Sequence, residues 1–473
     1  MPFSAIGSPA LTAIVAGLFL GTSAVILGIL TVVAGPVISI GAVLGIGAGV
    51  YVLTNLMAGL YAMLAAVALL PFATLPVRVA ITPTFIDLAL GGFLLVYIFQ
   101  WMTRRRPAFR FVPAHALIVG FLGAVCFSFV AGLGHAPLTT TVLRQFMEMV
   151  LSIALAIVLV DVARDPGALR RVALAIIILG AAQAAVGIGL YLLNDATTER
   201  ALNALGRFGY PQGGVVRYVE DNPELGERAI GTWVDPNAYG GFLLMVGALA
   251  GVQVLAARPV TGRRWLAVLC FALIALAVLL TQSRGAWLAL AAAAGFVALL
   301  RYRWLLILGV LAGVLLLNLP FMHPFVERLS EGLTGADLAT QMRFGEYKDA
   351  LTLIGRYPLI GVGFIGAPDR DIYLGVSSTY LKIASATGLI GLALFGLTMI
   401  ETFRYGLRRW RRLAARPELL AVWLGLAAGL VGALVSGVVD HYYFTLDFHG
   451  AATMLWLFTG LALATARTVD EVP

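Results

Sequence analysis

The chain has 473 residues, of which 60% are hydrophobic and only 12% are charged. Soluble domains are about 45–50% apolar and about 25% charged, so this composition excludes a soluble globular protein and indicates an integral membrane protein. The formal net charge of +8 does not indicate nucleic-acid binding, because the excess arginine lies in short loops beside apolar runs, where it acts as an orientation signal.

Apolar runs of about 20 residues, the length that spans a bilayer, recur along the whole chain. We predict an all-α, polytopic transmembrane helix bundle that forms a single integral membrane domain over residues 1–473. We predict 12–14 spans. The number is given as a range because the glycine-rich stretch 36–71 fits either two short helices or one broken helix. The predicted spans are 11–33, 36–52, 54–71, 84–102, 112–131, 142–162, 172–193, 230–257, 264–282, 286–301, 303–320, 379–403, 418–437 and 447–466.

The loops between these runs alternate in character. Arginine-rich loops, which are typical of the cytoplasmic side, lie near 104–110, 164–171, 258–264, 301–303 and 404–416. The same alternation predicts a cytoplasmic C-terminus. Two longer loops of mixed charge, 194–229 and 321–378, then face the other side of the membrane. Within the second of them, residues 341–355 have helical periodicity and predict an amphipathic helix that lies along the interface.

The outer mouths of the spans carry the candidate chemistry. Arg228, Asp235 and Asn237 precede or open one span, where the N–H groups of a helix N-terminus can face an anionic ligand. Asp235 also fits a plain helix N-cap, and the two interpretations are compatible. Arg284 stands alone at the tip of the next outer hairpin. There it either snorkels to the interface or offers a planar fork to phosphate oxygens.

Further candidates follow towards the C-terminus, each with a plain structural alternative. Arg343 and Glu346 are either an ordinary i,i+3 ion pair or, with Arg356, part of a binding site. Tyr380 and Lys382 open the span that begins near residue 379. Lys382 lies about one turn inside it, where an ionisable group is a functional candidate but a lysine can also snorkel.

The last outer loop contains a carboxylate beside a histidine, Asp440 and His441. Such a pair is a candidate general base, although both residues also fit interface decoration. The sequence has no Asp-x-Asp motif and its histidines are dispersed, so we expect neither a metal site nor a cofactor.

Four stretches resemble the O-antigen ligase and Wzy-type polysaccharide polymerase superfamily in both order and spacing. They are RAIGTWVDPNAYGGFLL, LLTQSRGAWLAL, MRFGEYKDALTLIGRYPLIGVGF and SSTYLKIASATGLIGLALF, which together cover roughly residues 225–405. The resemblance implies a metal-independent glycosyltransferase of the bacterial inner membrane that works on the periplasmic side. It would move a glycan from a polyprenyl-diphosphate carrier to an acceptor sugar hydroxyl. By the same resemblance Arg228 and Arg284 would hold the diphosphate, with Arg343 assisting.

One departure from the family favours one branch of it. Ligases of the family carry a histidine in a motif like His-Asn-x-Tyr-Leu, where this chain has Ser377. We therefore expect a polymerase of exopolysaccharide, capsule or O-antigen that joins undecaprenyl-diphosphate-linked oligosaccharides in the bilayer, with flippase and chain-length regulator proteins as further partners. Three alternatives stay open: an O-antigen ligase that attaches polymer to lipid A-core or protein, a flippase or transporter of lipid-linked oligosaccharide, and a structural scaffold in an envelope complex.

The expected reaction is a single displacement that inverts the anomeric centre. Negative charge develops on the departing diphosphate, and arginines held in advance near helix ends would stabilise that charge. Asp235, Glu346 and the Asp440–His441 pair are alternative bases for the acceptor hydroxyl. The candidate residues that bind the diphosphate or the glycan are Arg228, Arg284, Arg343, Arg356, Asn237, Tyr380 and Lys382.

Overall fold

The computed structural model of the protein describes residues 54–75, 82–319, 338–366 and 376–471, with scattered positions within 21–51 and 323–334. The chain divides into two compact units, residues 1–59 and 60–473. In the first unit, the described positions from 21 to 54 are helical except for Gly35. Most of the predicted spans 11–33 and 36–52 lies outside the described residues.

The described residues form an all-α bundle, which confirms the predicted fold class. Its helices are α1 (Leu56–Leu69), α2 (Phe85–Met102), α3 (Ala114–Ala131), α4 (Thr140–Val162), α5 (Pro166–Leu192), α6 (Asp195–Asn203), α7 (Pro236–Leu255), α8 (Arg264–Leu280), α9 (Arg284–Leu300), α10 (Trp304–Leu317), α11 (Leu338–Arg356), α12 (Thr379–Leu407), α13 (Trp410–Ala414), α14 (Pro417–Ser436) and α15 (His449–Thr468).

Eight of the described helices are long and apolar enough to cross a membrane, namely α2, α3, α4, α5, α7, α12, α14 and α15. The helices α1, α8, α9 and α10 are also apolar but shorter. The total of 12–14 spans stays a prediction. The loop before α7 adds a small antiparallel ribbon, in which Arg217 of strand β1 (Arg217–Tyr218) lies opposite Arg228 of strand β2 (Glu227–Arg228).

The centre of the bundle is formed by α7, α14 and α15. In α15 every residue except Arg467 is buried, as expected for a helix that is apolar on all sides. Glycines let these helices approach closely: an added Cβ would lie 2.6 Å from Leu249 at Gly425 and 2.7 Å from Phe458 at Gly429. In lipid, where the hydrophobic effect between helices is weak, such close packing is a main source of association.

The arginine-rich loops meet at one end of the bundle, where they are neutralised by carboxylates. Arg409 lies 2.8 Å from Asp470 near the C-terminus, and Arg106 lies 3.3 Å from the buried Asp161. Arg110 pairs with Glu471 at the same end. The loop 194–229 and helix α11 lie at the opposite end, so the alternation predicted from the sequence is present in the fold. The assignment of the arginine-rich end to the cytoplasm stays a prediction.

Helix α12 is broken at Gly388, whose φ of 70° and ψ of −178° are available to glycine almost alone. The break frees the carbonyl oxygens of Ser385 and Ala386. They accept N–H bonds of 2.9 Å from Val362 and Gly363, while the N–H of residue 389 donates to the carbonyl of residue 358. The irregular segment that follows α11 is therefore held against α12 by its backbone.

Gly388→Ala is expected to destabilise the protein strongly. A Cβ at this position would lie 2.0 Å from the carbonyl oxygen of Leu359, and the backbone conformation is strained for any L side chain. Gly396→Ala is the matched control, because Gly396 lies in the same helix with nothing within 4 Å of its added Cβ. Thermal unfolding in detergent should show a lower midpoint for Gly388→Ala and an unchanged or slightly higher one for Gly396→Ala. Equal midpoints for the two variants would contradict this account of the break.

Candidate active site

The N-termini of α7 and α9 lie side by side at the end of the bundle opposite the arginine-rich loops. Asp235 caps α7 by accepting N–H bonds of 2.9 Å and 2.8 Å from residues 237 and 238, so its N-cap interpretation is confirmed. Ser283 caps α9. The residues before the two caps, Val234 and Gln282, have φ angles of 63° and 56°. Such backbone costs about 1–3 kcal/mol per residue and persists only where the surrounding structure holds it.

Arg228 joins these two helix starts. Its Nε donates to the carbonyl oxygen of Thr281 over 2.9 Å, and its Nη2 donates to Oδ1 of Asn237 over 2.7 Å. The neighbouring backbone is fixed as well, since the N–H of Ala229 donates to the carbonyl of Leu280. The guanidinium therefore lies against both the α8–α9 turn and the first turn of α7.

Helix α11 crosses this end of the bundle and confirms the helix predicted over residues 341–355. It brings Thr340 to 3.4 Å from Nη2 of Arg284, the first residue of α9. Arg343 reaches across to Asp440, with Nη2 3.3 Å from Oδ1. The interpretation of Arg343 and Glu346 as an ion pair with each other is wrong. Both side chains face the bundle, and Oε2 of Glu346 accepts the N–H of Ser377 over 2.9 Å.

The face that α11 turns towards the bundle is mixed, because it includes the buried Ala350 and Leu353 as well as polar and aromatic groups. Next to Glu346, the hydroxyl of Tyr347 lies 3.1 Å from the carbonyl oxygen of Ser377 and 3.2 Å from that of Val438. Met342 and Leu351, which form the apolar stripe in the sequence, are 60% and 59% exposed. A helix at a membrane interface can leave its apolar side chains on the outside, because lipid rather than water can cover them.

Asp440 lies in the turn between α14 and α15, outside the spans, and is only 5% exposed. Its Oδ1 is paired with Arg343, whereas its Oδ2 has no hydrogen-bond partner among the described residues. An added Cβ at Gly285 would lie 2.7 Å from this Oδ2, which shows how closely the carboxylate approaches the start of α9. Burial raises the pKa of Asp440 to about 7, although the charges of Arg343, Arg228 and Arg284 oppose the increase.

His441 follows Asp440 and is affected by charged groups of both signs. Burial lowers the pKa of the His441 ring, and the positive charge of Lys382 lowers it further, so the ring is predominantly neutral at pH 7. The negative charges of Asp235, Glu346 and Asp447 raise the pKa and partly offset these effects.

The remaining predicted site residues, Lys382, Tyr380 and Arg356, lie in different parts of the structure. Lys382 interacts electrostatically with Asp447 and Glu346, one turn inside α12. The Tyr380 hydroxyl donates to the carbonyl oxygen of Leu434 over 2.6 Å and thereby ties α12 to α14. Arg356 is exposed at the end of α11. It lies 13 residues beyond Arg343 (356 minus 343), or about 20 Å along a helix axis. The structure therefore separates Arg356 from the other arginines.

Sequence reasoning missed a buried charge cluster beside this site. Arg144 Nη1 lies 2.8 Å from Asp87 and 3.2 Å from the fully buried Glu148. Nδ1 of His449, the first residue of α15, lies 3.5 Å from the same Glu148 carboxylate. Two ionisable residues spaced i,i+4 within one apolar run were the available signal. The cluster joins α2, α4 and α15 below the turn that carries Asp440 and His441.

A known protein family matches part of the chain. Residues 269–396 match the family model described as O-antigen ligase. The resemblance to the O-antigen ligase and Wzy-type superfamily is confirmed. The matched segment runs from α8 into α12 and contains Arg284, Arg343 and Glu346, whereas Arg228 and Asp440 lie outside it. No curated protein matches the chain.

The family match and the apolar helices together support a coarse description of the protein. It is a multi-pass membrane protein, and its match to the O-antigen ligase family supports a membrane glycan-ligating, glycosyltransferase-like function. Residues from α7, α9, α11 and the α14–α15 turn meet at its candidate site. The roles of the individual side chains and the expected metal independence stay predictions.

The pH dependence of stability offers a test of the buried state of Asp440. Because folding raises its pKa from 3.8 to about 7, the folded protein holds a proton here that the unfolded chain has lost. The contribution of this proton to the free energy of unfolding is present near pH 4 and is lost as the pH rises through about 7. Asp440→Asn cannot titrate, so its thermal midpoint in detergent should fall less between pH 5 and pH 8 than that of the wild type. Asp221→Asn, at an exposed position in the loop before α7, should follow the wild type. Parallel curves for all three proteins would show that Asp440 is not buried as described.

Proposed function

We propose that the protein is a polysaccharide polymerase of the bacterial inner membrane. It transfers a glycan from a polyprenyl-diphosphate carrier to an acceptor sugar hydroxyl on a second lipid-linked repeat, at the periplasmic face. The observation that carries this proposal is the gathering of Arg228, Arg284 and Arg343 around the N-termini of α7 and α9. Planar guanidinium groups and free helix N–H groups are the two devices that proteins commonly use to bind phosphate oxygens.

The negative charge that develops on the diphosphate during the reaction is complementary to this arginine cluster. When the anomeric carbon leaves the carrier, the bond to the diphosphate oxygen breaks and its electron pair stays on the diphosphate. Arg228 and Arg284 are held by neighbouring carbonyl, amide and hydroxyl groups before any substrate arrives. Fixed positive groups of this kind stabilise the departing charge without reorganising during the reaction.

Asp440 is the base that we propose for the acceptor hydroxyl. Asp235 is engaged in capping α7, and Glu346 accepts the N–H of Ser377. Asp440 is buried, and its Oδ2, which lies against the start of α9, has no hydrogen-bond partner among the described residues. In the proposed step the acceptor oxygen attacks the anomeric carbon from the face opposite the diphosphate and its proton passes to Asp440. The anomeric centre is inverted, and polyprenyl diphosphate departs.

The location of the site follows from the positive-inside rule. The arginine-rich loops lie at the end of the bundle opposite the candidate site, and such loops are generally retained in the cytoplasm. We therefore propose that the C-terminus is cytoplasmic and the site periplasmic. Lipid-linked repeats then have to be moved across the membrane before this enzyme acts, which supports a flippase as a separate partner.

An O-antigen ligase is the second candidate, and the description of the matching family favours it. Ser377 supports the polymerase. Its backbone N–H and carbonyl are bound to α11, and its hydroxyl cannot take up a proton at neutral pH as the histidine of a ligase can. A flippase has less support, because the candidate arginines gather at one end of the bundle. Product analysis separates the three functions.

Replacement of the two arginines tests the polymerase proposal. In cells that lack their own polymerase for the cognate repeat, the wild-type gene should restore high-mass glycan. Arg228→Ala and Arg284→Ala should leave single repeats, since a lost charged hydrogen bond of about 2–3 kcal/mol in the transition state slows transfer at least tenfold. Arg207→Ala, at an exposed arginine of the same outer loop, is the matched control and should behave as wild type. The glycan is analysed by gel electrophoresis at equal membrane abundance of each protein.

Each other outcome of this experiment excludes a specific part of the proposal. Long polymer that stays on its lipid carrier in the deletion strain, and reaches its final acceptor only with the gene, would identify a ligase. Failure of single repeats to reach the periplasm without the gene would identify a flippase. Wild-type polymer from both arginine variants would overturn the assignment of the diphosphate site.

The proposed base gives a separate prediction for the pH dependence of transfer. Because Asp440 must be ionised to accept a proton and its pKa is about 7, the transfer rate should rise with pH through about 7 and then level off. Asp440→Asn should lower the plateau at least a hundredfold, the usual contribution of a positioned base being about 10²–10⁴. Asp221→Asn should keep both the rate and the profile. An Asp440→Asn enzyme with a wild-type rate would exclude Asp440 as the base.

A further inference from the structure

A cavity of about 210 Å³ lies at the same end of the bundle, beside the arginine cluster but distinct from it. Its walls come from α4, α12, the segment after α11 and the turn before α15. We propose that this cavity is the subsite for the acceptor sugar, a proposal that rests on the polymerase function above. The side chains that carry the argument are Gln145, Phe364, Lys382, Ser385, Phe444 and Asp447.

The lining of the cavity has the chemistry of a sugar site. A pyranose ring presents hydroxyl groups at its edge and C–H groups on its faces. The rings of Phe364 and Phe444, with centroids 5.8 Å apart, provide apolar surface for such a face. Gln145 provides both a donor and an acceptor for the edge hydroxyls, and Ser385 adds a hydroxyl. Binding pockets generally combine an apolar surface with a few polar groups that fix the orientation of the ligand.

The charged side chains in the cavity favour a neutral ligand over a diphosphate. Lys382 and Asp447 both line the cavity and have side chains of opposite charge type. A diphosphate would meet the carboxylate of Asp447 here, whereas in the arginine cluster it would meet guanidinium groups. A neutral, hydroxyl-rich ligand is compatible with both Lys382 and Asp447, because the ammonium donates and the carboxylate accepts hydrogen bonds.

The cavity is connected to Asp440 by two parts of the chain. One is the turn itself, which begins at Asp440 and lines the cavity from Phe444 to Asp447. The other is α12, where the N–H of Thr379 donates to the carbonyl of Asp440 over 2.9 Å. Lys382 follows three residues later, a rise of only about 4.5 Å along a helix. The cavity therefore lies next to the turn that carries the proposed base.

One wall of the cavity is held by hydrogen bonds within the protein. Its wall at Val362 and Gly363 is fixed by the backbone bonds to the break in α12. On the other side, Nδ1 of His135 lies 2.9 Å from the carbonyl oxygen of Val362. A wall that is already ordered costs little entropy on binding, which favours recognition of a weakly binding acceptor.

The test separates the acceptor from the donor by using an acceptor without diphosphate. The probe is the repeat-unit oligosaccharide released from its carrier, offered to the full-length protein in membranes with labelled lipid-linked repeat as donor. Gln145→Ala and Lys382→Met should each raise the KM for the free oligosaccharide about tenfold, as expected for the loss of about 1.4 kcal/mol of binding, with the maximal rate within about threefold of wild type. Lys348→Met is the matched control. Lys348 is exposed on α11, and it is the only other lysine of the chain.

The outcomes distinguish this inference from the proposed function. An unchanged acceptor KM in both cavity variants, with a wild-type enzyme that elongates the oligosaccharide, would overturn the acceptor subsite alone. A raised KM for the lipid-linked donor, with no change for the acceptor, would assign the cavity to the donor and also overturn the inference. Wild-type enzyme that transfers nothing to lipid-linked or free acceptors would overturn the polymerase function itself.

Discussion

The end of the bundle that contains the candidate site depends on one constraint, which is that backbone groups at membrane depth must find partners within the protein. The break of α12 at Gly388 leaves two carbonyl groups without their helical donors, and the N–H groups of Val362 and Gly363 take their place. This exchange fixes the segment after α11 against the bundle. With its C-terminal end anchored there, α11 lies across the mouth, where Arg343 meets Asp440 and Tyr347 meets the start of α12.

The two ends of the bundle use arginine in different ways. At the end predicted to be cytoplasmic, each of several arginines lies beside a carboxylate that neutralises it, as Arg409 does with Asp470. At the opposite end, the described hydrogen bonds of Arg228 and Arg284 go to carbonyl, amide and hydroxyl oxygens, which orient the two guanidinium groups. Arg343 differs from these two arginines, because it pairs with the carboxylate of Asp440. Burial raises the pKa of Asp440 to about 7 and so keeps part of its population protonated at neutral pH.

The proposed reaction and the proposed acceptor cavity share the turn from Asp440 to Asp447. Its first residue faces the arginines and the start of α9, while its last residues line the cavity. The buried cluster of Arg144, Glu148 and His449 supports the end of this turn from below. A single short segment thus fixes the distance between donor charge, base and acceptor, the arrangement that a direct displacement requires.

The sequence by itself determined the fold class, most helix positions and the alternation of the loops, because hydropathy and arginine bias are local properties that a bilayer translates directly into spans. It also singled out Arg228, Asp235, Arg284 and Asp440, which lie near helix ends where local chemistry is readable. Only the tertiary structure decided that Arg343 pairs with Asp440 rather than Glu346, that Arg356 lies apart, and that Gln145 and Asp447 share a cavity. Those relations depend on how helices far apart in sequence rotate and pack, and in a membrane that rotation is set by contacts between small and polar side chains rather than by periodicity.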